Sequence, residues 1–280
     1  MRVVTANKIK FAVAELCVRA NLDLRRDVLL ALKRALKAEN NQKAKRIIEA
    51  IIKNARIARQ ERLAICQDTG MLVVFLEVGQ DVMIVGSLKD AVNRGVEIGY
   101  KAASLRNSIV HDPLRRGKSG YVLAVIHVDI VGGNKVRITV LPKGFGCENK
   151  SQNKMFLPTA NPEEIKKFIV DAVKLAGPDA CPPYVVGVGI GGTADYASLL
   201  AKKALLRKIR QKGLSQKGTV PELEQELLKE INKLNIGPMG LGGKSTCLGV
   251  NIETYPTHIA GLPVAVNISC HALRSASVTI

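Results

Sequence analysis

The stretch Tyr121-Val122-Leu123-Ala124-Val125-Ile126-His127-Val128-Asp129-Ile130-Val131, then Gly132-Gly133-Asn134, then Lys135-Val136-Arg137-Ile138-Thr139-Val140-Leu141 decides the fold class. Both flanking runs are rich in β-branched residues and the Gly-Gly-Asn between them is turn chemistry, so the pattern predicts a hairpin. Two strands in direct succession break the strand–helix alternation of a doubly wound sheet. Upstream, residues 72–78 and 82–85 read as short strands around Gly79, followed by a helix over 88–105. From Lys8 to about Arg62 apolar residues recur every three or four positions, with Asn21, Asn40 and Asn41 as breaks, which predicts two or three amphipathic helices. Downstream come a helix over 162–175 and a strand over 184–192 that ends in glycines. A helix capped by Thr193 or Asp195 then runs to about Lys212. A basic connector over 211–219, a candidate mobile surface segment, leads to a helix over 221–234 and strands over 247–252 and 264–270. The expected class is α+β, a helical N-terminal third followed by mixed β-sheets with packed helices.

A chain of 280 residues, 47% hydrophobic, can bury a large core. The expectation is a single domain over 1–280, near the size at which a chain splits into two lobes, here helix-rich over 1–120 and mixed sheet over 121–280. The formal net charge of +18 attracts polyanions of several kinds. Much of it lies between Lys33 and Arg62 at helical spacing, which reads as the solvated face of helices. A basic nucleic-acid-binding protein is the alternative from a different class. Aromatics are only 4% of the chain and no signature of a nucleic-acid module is present, which argues against it. The N-terminal residues lack the uninterrupted apolar stretch of a signal peptide, and no run is long enough to span a bilayer. Six scattered cysteines are too sparse for a secreted disulfide scaffold, so the expected compartment is the reducing cytoplasm.

Three of these cysteines sit in glycine- or proline-rich turns beside predicted strands: Cys66 in Cys-Gln-Asp-Thr-Gly, Cys147 in Gly-Phe-Gly-Cys-Glu-Asn, Cys181 in Ala-Cys-Pro-Pro-Tyr. Such turns let thiolates converge from distant positions, and glycine lets backbone N–H groups approach inorganic sulfide or a carboxylate. No Cys-x-x-Cys pair exists, so neither a zinc ribbon nor a ferredoxin run is present. On chemistry alone two readings stay open, a metal site and three small buried thiols. Three thiolates would leave one iron of a cubane open, as a catalytic metal requires. His271 and Arg274 read as structural. Gly189, Gly191 and Gly192 lack both the dinucleotide fingerprint and the lysine of a phosphate loop.

Cys66-Gln67-Asp68-Thr69-Gly70, the Gly-x-Gly-Cys-Glu-Asn-Lys segment, Ala180-Cys181-Pro182-Pro183 with Gly187 to Gly192, and Gly237-Pro238-Met239-Gly240 ahead of Cys270-His271 occur in one order. That order resembles the alpha subunits of class I fumarate hydratases and the related tartrate dehydratases, over nearly the whole chain. The resemblance implies that Cys66, Cys147 and Cys181 hold a [4Fe-4S] cluster, with Cys17, Cys247 and Cys270 ordinary buried residues. It implies reversible hydration of fumarate to L-malate, with L-tartrate dehydration as the alternative. Asp68, two residues past Cys66, is then placed to contact the substrate hydroxyl or to tune the base; a turn cap is the other reading of that residue. Arg106 falls at a substrate-binding arginine and Gly117 at a loop glycine, though the flanks of Gly117 differ. The family's single-chain enzymes carry a further domain, so the resemblance also implies a separate beta-type subunit that completes the site and supplies the base. A heterotetramer of two alpha and two beta subunits follows from the same likeness. The run Glu148-Asn149-Lys150 leans the substrate reading toward fumarate.

Overall fold

The computed structural model describes residues 1–209 and 218–280. Along the chain run β1 (Arg2–Thr5), α1 (Ala6–Leu22), α2 (Arg26–Ala38), α3 (Gln42–Glu61), β2 (Met71–Gly79), β3 (Val82–Val85) and α4 (Leu88–Ala102). The middle holds β4 (Ile109–Asp112), β5 (Arg116–Gly120), β6 (Val125–Val131), β7 (Val136–Lys143), the single turn α5 (Phe145–Glu148), β8 (Gln152–Phe156) and α6 (Pro162–Ala176). Then follow β9 (Tyr184–Gly192), α7 (Ala194–Leu206), α8 (Thr219–Lys233), β10 (Cys247–Thr257), β11 (Leu262–Ser269) and β12 (Ala276–Thr279). The class is α+β, as the run of consecutive strands predicted. The helix expected to reach Lys212 ends earlier, at Leu206, because Arg207 turns to an extended conformation; most of the basic connector lies outside the described residues. Among the described residues no helix is long and apolar enough to cross a membrane.

Two compact units are present: Met1–Arg25, Asn54–Phe145 and Arg274–Ile280 form the first, Arg26–Lys53 and Gly146–Leu273 the second. The first is built on a sheet of order β12-β7-β2-β6. Here the hairpin expectation is corrected. β6 and β7 do not pair with each other; β2 lies between them, parallel to β6 and antiparallel to β7. The Gly-Gly-Asn turn instead wraps the end of β2, where Gly79 N–H donates to the Lys135 carbonyl, 2.9 Å, and Gln80 N–H to Val131, 2.8 Å. A Cβ on Gly79 would overlap the Gly133 carbonyl, so glycine is what lets the turn close. Local turn chemistry was read correctly, but β2 is apolar on both faces and takes the central place. β3 likewise pairs not with β2 but in parallel with β1, which precedes the helical pattern that starts at Lys8. The core joins Ile9, Val13 and Leu16 of α1, Val92 and Val96 of α4, and Leu72, Val74 and Leu76 of β2.

In the second unit the sheet order is β10-β9-β11-β8, with β9 parallel to β10 and antiparallel to β11. Alternation along the strands separates two faces. Val186 and Val188 of β9 and Val264, Val266 and Ile268 of β11 pack with Ile169 and Val173 of α6 and Leu227 and Ile231 of α8. The opposite face presents glycines and Ala265 to Ala197 and Ala201 of α7. α6 starts with a full capping box, Asn161 with Glu164, and has Pro162 in its first turn. At α7 Thr193 holds the N-cap position without a side-chain bond to the helix, and Asp195 sits in the first turn. Its carboxylate takes the Thr193 hydroxyl and the N–H groups of Asp195 and Tyr196, which hold its pKa below the ordinary value. The basic residues of α2 and α3 are almost all exposed, consistent with a solvated face.

Candidate active site

In the first unit the cysteine turn 65–70 joins α3 to β2, and long-range side chains hold its backbone. Asn54 Nδ2 donates to the Ile65 carbonyl, 2.8 Å, Arg274 to Asp68, 2.7 Å, and the Tyr100 hydroxyl to Thr69, 3.0 Å. The Ile65 N–H donates to the Asn21 carbonyl, 3.0 Å. Cys66 is half-buried, its thiol 3.4 Å from Gln67 Oε1. Asp68 is also half-buried, and one carboxylate oxygen accepts Gly70 N–H, 3.0 Å, while the other accepts Phe145 N–H, 2.8 Å. The turn-capping job is therefore real, and it ties this turn to the residue two before Cys147. Each oxygen still has a further lone pair to offer.

Arg106 is brought to the same turn through its backbone, since Thr69 Oγ1 donates to its carbonyl at 2.8 Å, while the residue itself is exposed. Gly117 lies in the exposed β4–β5 hairpin, whose base is fastened by Asn107 Nδ2 to the Ser119 carbonyl, 3.1 Å. Its φ of +75° makes glycine the comfortable residue, and nothing lies within 4 Å of where a Cβ would be.

The second unit brings Cys147 and Cys181 together. The buried Cys147 thiol donates to the Ala180 carbonyl at 3.3 Å, immediately before half-buried Cys181. Lys150, three residues past Cys147, pairs with Asp179 at 2.8 Å. Glu148 pairs with Lys202 and accepts Asn267 Nδ2, 3.1 Å. These contacts anchor the Cys147 turn. Cys181 has a φ of +56°. Its carbonyl faces His271 Nδ1 at 3.0 Å, so that nitrogen carries the proton, and the Pro182 carbonyl accepts Met239 N–H, 2.8 Å. The Gly-Pro-Met-Gly segment thus lies against the Ala-Cys-Pro-Pro turn, where a Cβ on Gly240 would overlap Pro178.

None of the six cysteines is in a disulfide. Cys17 and Cys247 are buried as expected, whereas Cys270 is half-buried. Burial pushes the Cys247 thiol up to about 12 and Cys17 higher still, so neither forms thiolate near neutral pH. Alkylation of the metal-free chain at about pH 8, mapped by mass spectrometry, is expected to label Cys66 and Cys181 and to spare Cys17 and Cys247. Equal labelling of all four would contradict the burial pattern. Among the described residues no three His, Cys, Asp or Glu side chains form a group that could hold a metal ion. A multi-iron cluster spreads its thiolates more widely than one ion does.

The model of the family described as fumarate hydratase (fumerase) matches residues 10–279. The chain belongs to the fumarate hydratase family. A protein of Methanocaldococcus jannaschii provisionally named L(+)-tartrate dehydratase subunit alpha is 41% identical over 277 residues, covering 96% of each chain. The L(+)-tartrate dehydratase subunit alpha of Escherichia coli K12 is 32% identical over 278 residues, covering 98% of this chain and 91% of its own. The same figures hold for its counterpart in Shigella boydii. Family members of this length therefore align end to end with the chain, both cysteine units included. Asn21, Asn54 and Tyr100, which shape the Cys66 turn, were not singled out from sequence as site residues. Asn21 reads there as a helix break, and the other two are ordinary helix positions.

Proposed function

We propose that this chain is the alpha-type subunit of an iron–sulfur hydro-lyase that reversibly hydrates fumarate to L-malate. Membership of the fumarate hydratase family over residues 10–279 carries the reading. Cys66, Cys147 and Cys181 would hold a [4Fe-4S] cluster. The donor set suits it: three thiols outside any disulfide, the Cys66 and Cys181 turns held through their backbones by other residues and the Cys147 turn anchored through Glu148 and Lys150, and thiolate is the ligand iron–sulfur clusters take. When bound, such a cluster supplies a Lewis-acidic iron for the hydroxyl and a carboxylate of the substrate. The exposed Arg106 grips a substrate carboxylate, for which a guanidinium fork is suited. Asp68 accepts the substrate hydroxyl with the lone pairs its two N–H donors leave open. Gly117 lines the approach with bare backbone.

The base is assigned to a beta-type subunit, since the relatives with which the chain aligns end to end are named as alpha subunits. Two alpha and two beta subunits form the assembly, in the cytoplasm. Those names also favour a second reading, L(+)-tartrate as substrate. The test is anaerobic co-expression with the beta-type subunit, followed by assays with fumarate, L-malate and L(+)-tartrate. Turnover of fumarate and malate at least tenfold faster than tartrate is expected. The reverse order selects the tartrate reading, and no turnover of any of the three by an iron-loaded complex would sink both.

A further inference from the structure

Arg274 is 3% exposed, and its two terminal nitrogens reach different partners: one donates to Asn21 Oδ1 at 3.1 Å, the other to the Asp68 carbonyl at 2.7 Å. Asn21 is fully buried and spends its own amide on the Cys17 carbonyl, 2.9 Å. Its backbone carbonyl accepts Ile65 N–H, and Tyr100, also 3% exposed, reaches the Thr69 carbonyl. Two buried side chains, Tyr100 of α4 and Arg274 before β12, thus hold the carbonyls of Thr69 and Asp68 after Cys66, and the backbone of Asn21, itself held by Arg274, holds Ile65 before it. Among the described residues Arg274 Nε has no hydrogen-bond partner. Burying a guanidinium against a carbonyl and an amide, with one N–H unanswered, is a costly way to brace a turn. An apolar side chain would fill the same space without that cost, so packing alone does not explain it.

We propose that Arg274 is a positioning residue. With Asn21 and Tyr100 it sets the Cys66–Asp68 turn in its ligand-holding shape before any cluster binds. This rests on the assignment of Cys66 as a cluster ligand made above. The planar fork matters more than the charge, because a single ammonium cannot span two acceptors in fixed directions. The turn then needs no reorganisation on loading.

The test uses the full chain, metal-free, by hydrogen exchange of the peptide covering 64–72, followed by anaerobic iron and sulfide loading. Arg274→Lys is expected to exchange about tenfold faster in that peptide, with the rest of the chain unchanged. Its affinity for iron should fall roughly tenfold, with weaker visible absorbance. Tyr100→Phe, which removes one hydroxyl, should shift the same peptide by less. If Arg274→Lys does not fold, Tyr100→Phe decides alone. Unchanged exchange over 64–72, faster exchange spread evenly along the chain, or unchanged iron affinity in the folded variants would each overturn the proposal. Should the native chain load no iron, the cluster assignment fails, while the exchange result still decides whether Arg274 holds the turn.

Discussion

Changing Cys66, Cys147 or Cys181 singly to alanine is expected to abolish iron loading, against about four irons per native chain after anaerobic reconstitution. The loss should be nearly complete in each case because a cubane held by three thiolates has no spare protein ligand, so one missing thiolate opens a second iron to solvent and to chelators. The three variants should differ in stability. Cys147 is buried and its thiol contacts the Ala180 carbonyl, so Cys147→Ala also costs packing, on the order of 1 kcal/mol. Cys66 and Cys181 are half-buried, and their variants should melt close to native. Cys17→Ala is the control: its sulfur is sealed in the core of the first unit, so it should lose some stability and keep all its iron. Iron quantified beside a melting curve separates the two effects. Full iron in a folded Cys66→Ala, Cys147→Ala or Cys181→Ala chain would remove that residue from the ligand set.

How much of this was legible in sequence follows from the range of each interaction. α6 could be placed within a residue because its signals are local: Asn161 and Glu164 cap it, Pro162 opens it and Gly177 closes it. β9 was equally clear, a β-branched run bounded by Pro183 and paired glycines. The hairpin was misread because partner choice is not local. Gly132-Gly133-Asn134 specifies a reversal of chain direction, and a reversal is compatible with a third strand entering between the two arms. The cysteine turns were recognisable from their own residues, but what braces them was not. Arg274 lies 206 residues from Asp68, and no periodicity reports such a contact. The ion pairs of Glu148 with Lys202 and of Lys150 with Asp179 were equally out of reach of sequence, since the partners lie 54 and 29 residues away.

Gly187→Ala and Gly189→Ala are each expected to destabilise the chain by about 3 kcal/mol, at the upper end for an added methyl group. The reason is the distance between β9 and α7. A Cβ on Gly187 would overlap the Ala201 carbonyl and stand 3.0 Å from Leu205 Cγ; one on Gly189 would overlap the Ala197 carbonyl and stand 2.7 Å from the Ala201 nitrogen. The Ala197 and Ala201 atoms belong to the backbone, which cannot rotate aside as the Leu205 side chain can, so strand and helix would have to separate. Glycines two apart on a strand fall on one face, and alanines four apart on a helix fall on one face, so the two patterns meet as smooth surfaces. Glycine here serves close packing. Gly132→Ala is the comparison, since nothing lies within 4 Å of its Cβ position and its φ is unremarkable; it should change stability by less than about 0.5 kcal/mol. Urea unfolding with the slope m held constant is the measurement. A loss at Gly187 and Gly189 no larger than at Gly132 would mean that strand and helix separate at little cost. In that case close packing could not be the reason for glycine at these positions, six and eight residues beyond Cys181.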